Sequence, residues 1–291
     1  MSALDSVIAR LEQVKALDGV AERVSVGASY VTHRPPVSSI LSGTWIGHPL
    51  HPILTDLPIG SWTSAFVLDL VGGRRSRKAA QSLVGLGVLA AVPTALTGLA
   101  DWADTGGATR RVGTVHALTN SVGLGCYVLS WRARRRGHHY RGVAWAMAGA
   151  TAATAAASLG GHLVYRLGTG VDVNAHDPGP DDWTEATSAS SLPGGEGRYV
   201  EAGPAKVLAL HDGPGGWHGI GARCSHRDGP LQEGEFDDGC VTCPWHKSRF
   251  RLDDGSIVDG PATAPQPRYD VRERDGTLWV RSAAGGGDTA G

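Results

Sequence analysis

The hydrophobic pattern divides the chain near Tyr165. Before that residue lie four apolar stretches, and each approaches the roughly 20 residues that a helix needs to cross a hydrocarbon core. They are Ile53–Gly72, which is interrupted by Asp56 and Asp69, and the uncharged stretches Ala79–Ala100, Val112–Trp131 and Gly142–Tyr165. Their abundant Gly, Ala, Ser and Thr residues favour close packing of helices in lipid. We therefore expect four membrane-spanning helices. The alternative is a water-soluble, alanine-rich bundle, whose helices would normally show a charged face.

The N-terminal segment, residues 1–44, also shows helical periodicity. Its apolar residues recur at spacings of three and four. They are Leu4, Val7, Ile8, Leu11 and Val14. This pattern predicts a helix that either packs on the rest of the protein or lies in the membrane interface. The segment lacks the basic-then-apolar order of a signal peptide.

After Tyr165 the chain becomes polar. Residues 169–182 contain Asp, Pro and Gly without periodicity and are predicted to be a linker. Short β-type runs then alternate with glycine-rich turns over 183–283. The runs are RYVEA, AKVLALH, GIGARC, GCVTC, YDVRER and LWVRS. Residues 284–291 are predicted to be a disordered tail. The expected fold class is two-domain: an all-α four-helix transmembrane bundle over 45–168, followed by an all-β domain.

Composition narrows the choice of partners. The formal net charge is −1, so no bulk electrostatic attraction to nucleic acid is expected. The chain has 4 cysteines, which is too few for a disulfide scaffold.

The β-type region contains Cys224-Ser-His226 and, sixteen residues later, Cys243-Pro-Trp-His246. Two short Cys-to-His spacings let each of two loops give one thiolate to one iron and one imidazole to a second iron. That ligand set is typical of a [2Fe-2S] cluster with two histidine ligands. Zinc is the competing metal, but its usual fingers pair two cysteines and then two histidines, an order that this motif does not follow.

Residues 221–262 resemble the core of a Rieske ferredoxin-type domain. The resemblance implies a β-sandwich with two loops that hold the cluster at its tip. It further implies that Cys224 and Cys243 bind the buried iron, and that His226 and His246 bind the outer one. Five neighbours would surround the cluster, with Leu231 and Pro261 as apolar shields. They are Leu231, Trp245, Ser248, Phe250 and Pro261.

Three positions depart from the high-potential Rieske relatives in quinol-oxidising complexes. Where those relatives join the two loops by a disulfide, this chain has Gly229 and Trp245. The serine position is kept as Ser248, whereas Phe250 stands where those relatives have a tyrosine hydroxyl. Losing a donor to sulfur destabilises the reduced state, so we expect a potential in the low part of the Rieske range, roughly −150 to +100 mV.

A catalytic oxygenase subunit is not expected. Such subunits need a mononuclear iron held by two histidines and a carboxylate in a large domain after the cluster domain. Fewer than fifty residues follow His246, and none of them is histidine.

Four histidines accompany the apolar stretches: His48, His51, His116 and His162. By helix parity they lie toward the same side of the membrane, at one depth in the bundle. Polar groups inside a membrane are expensive and usually functional, so this grouping indicates a site. The His-Pro-Leu-His-Pro start resembles an uncharacterised bacterial family of four-span membrane proteins, similar in outline to small b-type cytochromes. This resemblance suggests haem b with His51 and His116 as axial ligands. A non-haem metal site and a cofactor-free polar network are the alternatives.

Charge asymmetry predicts the orientation. Nine Lys and Arg residues flank the spans on one side and four on the other, which places the cluster domain outside the cytoplasm by the positive-inside rule. The resulting hypothesis is a multi-pass cell-membrane electron carrier that contacts lipid and exchanges electrons with quinone or a redox partner protein. The alternatives are a membrane oxidoreductase acting on a substrate at the histidines, and a membrane-anchored ferredoxin serving a soluble oxygenase or reductase.

Overall fold

The computed structural model describes residues 3–176, 179–188, 197–211, 213 and 216–283. The predicted tail, residues 284–291, lies outside these residues. The chain forms two compact units. The helical unit comprises Met1–Thr32 and Pro49–Thr169, and the β unit comprises His33–His48 and Gly170–Gly291. These bounds differ from the boundary expected after residue 44, because residues 33–48 belong to the β unit.

The described residues form seven α-helices. They are α1 (Ala3–Leu11), α2 (Asp18–Thr32), α3 (Val37–Ser42), α4 (Leu50–Val71), α5 (Arg77–Ala103), α6 (Gly107–Arg135) and α7 (His139–Tyr165). The four long helices coincide with the four predicted apolar stretches. Helix α4 packs on α5 and α7, and α6 packs on α5 and α7, which closes a four-helix bundle. The predicted N-terminal helix is confirmed as α1, where Ile8 is buried against Val112 and Leu159.

Helix α5 exposes large apolar side chains and buries small residues, the reverse of the pattern in a helix of a water-soluble protein. Leu86, Leu89 and Leu96 are 55%, 71% and 52% exposed on its outer face. The buried positions include Gly87, whose Cα faces the Trp62 ring so closely that a Cβ there would overlap with the indole. Large apolar side chains outside and small residues at helix contacts are typical of helices in lipid.

Two helical segments are long and apolar enough to cross a membrane among the described residues. They are Arg74–Ala103 and His139–Tyr165. Helices α4 and α6 form where spans are predicted, but they are not among the two segments that are long and apolar enough. Four membrane spans therefore stay a prediction.

The acidic interruption of α4 has a partner across the bundle. Arg134 of α6 donates two hydrogen bonds to Asp69 of α4, at 2.8 and 2.5 Å, and the side chains are 2% and 5% exposed. The Arg134 Nε atom also donates to Ser130, at 3.2 Å, and the Ser130 hydroxyl donates to the Gly142 carbonyl of α7, at 2.7 Å. A buried carboxylate requires a hydrogen-bonded counter-charge, and Arg134 provides it for Asp69. The resulting network joins α4, α6 and α7.

The β unit contains two antiparallel sheets. Their strands are β1 (Thr184–Ser188), β2 (Arg198–Ala202), β3 (Ala205–His211), β4 (Trp217–Gly221), β5 (Glu235–Asp237), β6 (Cys240–Thr242), β7 (Arg249–Arg251), β8 (Ile257–Asp259), β9 (Arg268–Arg274) and β10 (Thr277–Ser282). The larger sheet has the order β1-β10-β9-β4-β3-β2, and the smaller has the order β5-β6-β7-β8. Leu208 and Ile220 of the larger sheet share a core with Val241 and Phe250 of the smaller one. The predicted all-β C-terminal region is thus confirmed.

Candidate metal centre

Two loops of the β unit carry the predicted ligands. Cys224 and His226 lie in the loop between β4 and β5, and Cys243 and His246 lie in the loop between β6 and β7. The first loop connects β4 of the larger sheet to β5 of the smaller one, and the second connects the neighbouring strands β6 and β7 of the smaller sheet.

The two loops use the same turn. The Cys224 carbonyl accepts from the Asp228 N–H at 2.8 Å, and the Cys243 carbonyl accepts from the Lys247 N–H at 3.2 Å. Asp228 and Lys247 both adopt left-handed backbone conformations, with φ of 64° and 66°. For a residue with a Cβ this conformation costs roughly 1–2 kcal/mol. A glycine at either position would avoid this cost.

The two cysteine thiols lie in contact in the interior. Hydrogen bonding to Cys243, together with burial, raises the pKa of Cys224 well above its usual value. The same hydrogen bond, with backbone N–H groups of Trp245 and His246, lowers the pKa of Cys243 to about 6. One thiol of the pair is therefore readily deprotonated, and the thiolate is the form that binds metal.

The two histidine rings of these loops lie next to each other. The ring centroids of His226 and His246 are 5.1 Å apart, with the planes at 89°. The Nδ1 atom of His226 is buried. Two thiols and two imidazoles in one place suit a pair of irons with unlike ligands, so the residues present fit a Rieske-type cluster.

The predicted neighbours of the cluster occupy defined positions. Leu231 and Phe250 are fully buried, and both share a core with the two ligand cysteines. The Ser248 hydroxyl accepts from the Ala262 N–H at 3.0 Å, which holds the loop containing the buried Pro261. Phe250 thus places an apolar ring where a tyrosine would bring a hydroxyl.

Gly229 is a residue whose steric role sequence reasoning missed. A Cβ at this position would lie 2.6 Å from the Cys243 sulfur and 3.5 Å from the ring of Trp245, which is itself 54% exposed. In the sequence, Gly229 is notable only because it is not a cysteine, and all four cysteines of the described chain are free thiols. Cross-loop proximity of this kind leaves no signal in the spacing along the chain.

A protein-family model described as "Rieske [2Fe-2S] domain" matches residues 182–270. The ferredoxin subunit of 3-phenylpropionate/cinnamic acid dioxygenase from Escherichia coli K12 is 33% identical over 96 residues, which are 33% of this chain and 89% of that protein. The chain belongs to the Rieske [2Fe-2S] family. A Rieske domain implies a [2Fe-2S] cluster and electron transfer, as the sequence predicts.

This Rieske protein has further matches to known proteins. Apoptosis-inducing factor 3 of Mus musculus and that of Homo sapiens are each 33% identical over 108 residues; the match spans only 18% of their length. The solved ferredoxin of carbazole 1,9a-dioxygenase from Nocardioides aromaticivorans IC177 is 23% identical, with a TM-score of 0.33, over 35% of this chain and 100% of that one. A second family model, "Predicted membrane protein (DUF2231)", matches residues 47–173.

The four histidines that accompany the predicted spans have different surroundings. His48 is exposed and belongs to the β unit. His162 lies at the end of α7, where its Nε2 atom is 2.7 Å from Glu12 Oε1. Only His51 and His116 lie inside the four-helix bundle with their rings held by backbone groups.

His51 and His116 are held in the same way. The Nδ1 atom of His51 is 2.9 Å from the Thr94 carbonyl, and that of His116 is 2.8 Å from the Ala156 carbonyl. Because a carbonyl only accepts, each Nδ1 carries the proton, and each Nε2 is left as the acceptor. The His116 Nε2 lies 3.1 Å from the Asn120 amide nitrogen. This tautomer is the one that metal-binding histidines use when a carbonyl fixes the other nitrogen.

Proposed function

We propose that this Rieske protein is a membrane-bound carrier that takes up and releases one electron at a [2Fe-2S] cluster held by Cys224, Cys243, His226 and His246. The observation that carries the proposal is the convergence of the contacting thiols and the perpendicular imidazoles at the tips of two matching loops. One thiol of the pair is readily ionised. Both thiols are buried in a core with Leu231 and Phe250, whereas the two histidines are only partly buried. Metal analysis and paramagnetic resonance of the purified, reduced protein test this function.

The helical unit is proposed to hold the protein in the cell membrane through four spans. The exposed leucines of α5, the glycine contacts inside the bundle and the match to a predicted membrane protein family support this proposal. The same helices would present lipid-facing surfaces to the bilayer.

The cluster domain is proposed to face away from the cytoplasm. Four Lys and Arg residues flank the spans on its side, and nine flank them on the opposite side. The positive-inside rule assigns the side with more Lys and Arg to the cytoplasm, and this count supports the proposal.

A reporter fused after Ser282 is expected to reveal that orientation. Alkaline phosphatase, which is active only outside the cytoplasm, should be active in the fusion, and a fluorescent reporter that folds only in the cytoplasm should be dark. The reverse pattern would place the cluster domain in the cytoplasm and would leave the cluster assignment intact.

A second redox centre is proposed in the bundle, with haem b between His51 and His116 as axial ligands; a non-haem metal at the same pair is the alternative. The shared Nδ1-to-carbonyl geometry supports this proposal. Glycines make room for both rings: a Cβ at Gly98 would lie 2.6 Å from His51 Cε1, and one at Gly160 would lie 3.1 Å from His116 Cε1. Through this centre the cluster would exchange electrons with quinone or with a partner protein.

The proposal predicts a b-type band in the reduced-minus-oxidised spectrum of protein produced with ample haem. His51→Ala and His116→Ala should each abolish the band, because either change removes an axial ligand. His138→Ala is the matched control and should retain it, since His138 is exposed before α7. The wild-type spectrum could lack the band while the protein binds iron or copper in excess of the cluster iron. If the His51 and His116 variants each lose that extra metal, the site holds a non-haem metal and not haem.

A second candidate function is a membrane-anchored ferredoxin that serves a soluble oxygenase or reductase. The observation that favours it is the match to an oxygenase ferredoxin subunit over 89% of that subunit's length. Reoxidation of the reduced cluster by a soluble oxygenase component, in variants that lack His51 and His116, would favour this function over transfer through the bundle.

A further inference from the structure

Residues His33–His48 form a segment of the β unit that is separated from the rest of that unit by more than a hundred residues of sequence. We call this segment the strap. It contains α3, which is followed by Gly43 in a left-handed conformation with φ of 88°. The strap lies against the loop 260–262, which includes the buried Pro261.

The strap and this loop are joined by hydrogen bonds between side chains of one and backbone groups of the other. The Thr44 hydroxyl donates to the Ala262 carbonyl at 2.7 Å, and the Gly260 N–H donates to the Ser39 hydroxyl at 3.0 Å. Gly260 also provides the space for the contact. A Cβ at this position would overlap with the Thr44 hydroxyl and would lie 3.1 Å from Ser39 Cα. The glycine is therefore required by the close approach of the strap.

The same loop is tied to a ligand loop on its other side. The Ala262 N–H donates to the Ser248 hydroxyl, and the Ser248 carbonyl accepts from the Cys243 N–H at 2.8 Å. Ala262 thus bonds to the strap through its carbonyl and to the Cys243 loop through its N–H. Movement of the strap would be transmitted to the surroundings of the cluster through a chain of short contacts.

The strap also reaches a proposed iron ligand directly. The ring of His33 lies edge-to-face with the ring of His246, with centroids 5.7 Å apart and planes at 71°. His246 therefore has the His226 ring on one side and the strap's own imidazole on another.

We propose that the strap is a built-in cover that limits access of soluble redox proteins to the cluster at His246. The proposal rests on the proposed function, in which His246 binds the outer iron. Electron transfer slows steeply with distance, so a soluble protein must come close to the ligand histidines to exchange an electron. The strap places the His33 ring against His246, so a soluble protein that approaches this ligand meets the strap.

Stopped-flow oxidation of the reduced full-length protein by soluble cytochrome c tests the cover. In each turnover one electron leaves the reduced cluster and reduces one ferric haem of the probe. We expect Gly260→Ala, which displaces the strap, to increase the second-order rate constant by about fivefold or more, the change expected when one neutral hydrogen bond that favours the closed form is lost. His33→Ala should also increase the rate constant, because it removes the ring that covers His246.

Three controls make the result decisive. The double variant Ser39→Ala/Thr44→Val removes both bonding hydroxyls without adding bulk, and it replaces Gly260→Ala if that variant loses the cluster. Thr184→Val removes a comparable hydroxyl, which donates to the Asp182 carbonyl, and should leave the rate constant unchanged. Redox titration separates access from driving force.

Strap variants that keep the cluster's paramagnetic signal but show an unchanged rate constant, or a change explained by potential alone, would overturn the cover. A wild-type protein with no such signal would instead overturn the proposed function.

Discussion

His246→Ala is expected to abolish the rhombic paramagnetic signal of the reduced protein, whose average g value should lie below that of the free electron. Each iron of a Rieske centre has two protein ligands, and the outer iron would retain only His226. The variant is therefore expected to lose the cluster. The contacting thiols Cys224 and Cys243 would remain in the core, and the β unit should stay folded. Iron and sulfide analysis, together with the far-ultraviolet circular dichroism spectrum, checks both parts of this result.

The matched control is His211→Ala. His211 lies in β3 of the same unit and packs against the Trp217 ring, away from the ligand loops. This variant should retain the signal at wild-type intensity. Zinc in tetrahedral coordination, with no iron in the wild-type protein, would show that the four residues hold another metal.

Arg134→Ala is expected to lower the free energy of unfolding of the helical unit by about 3–5 kcal/mol, the typical cost of removing one partner of a buried ion pair. The Asp69 carboxylate would be left in the interior without its two hydrogen bonds from Arg134. The loss would also release Ser130 from its contact with the guanidinium. Denaturant unfolding in detergent, followed by circular dichroism at a helical wavelength, measures the change.

The double variant Asp69→Leu/Arg134→Met provides the control. It removes both charges and fills the site with apolar side chains, so it should be much closer to wild type than the single variant. Equal losses in the two proteins would mean that the packing of the Arg134 stem, and not the uncompensated charge, stabilises the bundle. A single variant within about 0.5 kcal/mol of wild type would contradict the role of the pair.

The His51–His116 pair and the strap bear on the same question, which is where the electron goes. A centre in the bundle would give the cluster a partner in its own chain, and a cover on His246 would disfavour soluble competitors. The second candidate function instead has the cluster exchange its electron with a soluble protein. The rate measurements on strap variants and the spectrum of the bundle are independent measurements. Together they distinguish a carrier that exchanges electrons through its bundle from an anchored ferredoxin that serves a soluble protein.

Sequence alone determined the cluster chemistry and the positions of the long helices. Cys224-Ser-His226 and Cys243-Pro-Trp-His246 are local motifs, and the ligand types and their short spacing carry the information about the metal. The long helices were equally predictable, because uninterrupted apolar length is a property of neighbouring residues. The three-residue strands β5, β7 and β8 were too short to show a period.

Only the tertiary structure decided which polar groups meet. Asp69 looked like an interruption of a span until Arg134, 65 residues away, proved to be its partner. His162 was grouped with three other histidines, but it lies against Glu12, 150 residues away. Thr44 reaches Ala262 across 218 residues. Such pairs depend on how helices and sheets pack, because a buried polar group must be satisfied by whichever partner the packing brings to it, however far along the chain that partner lies.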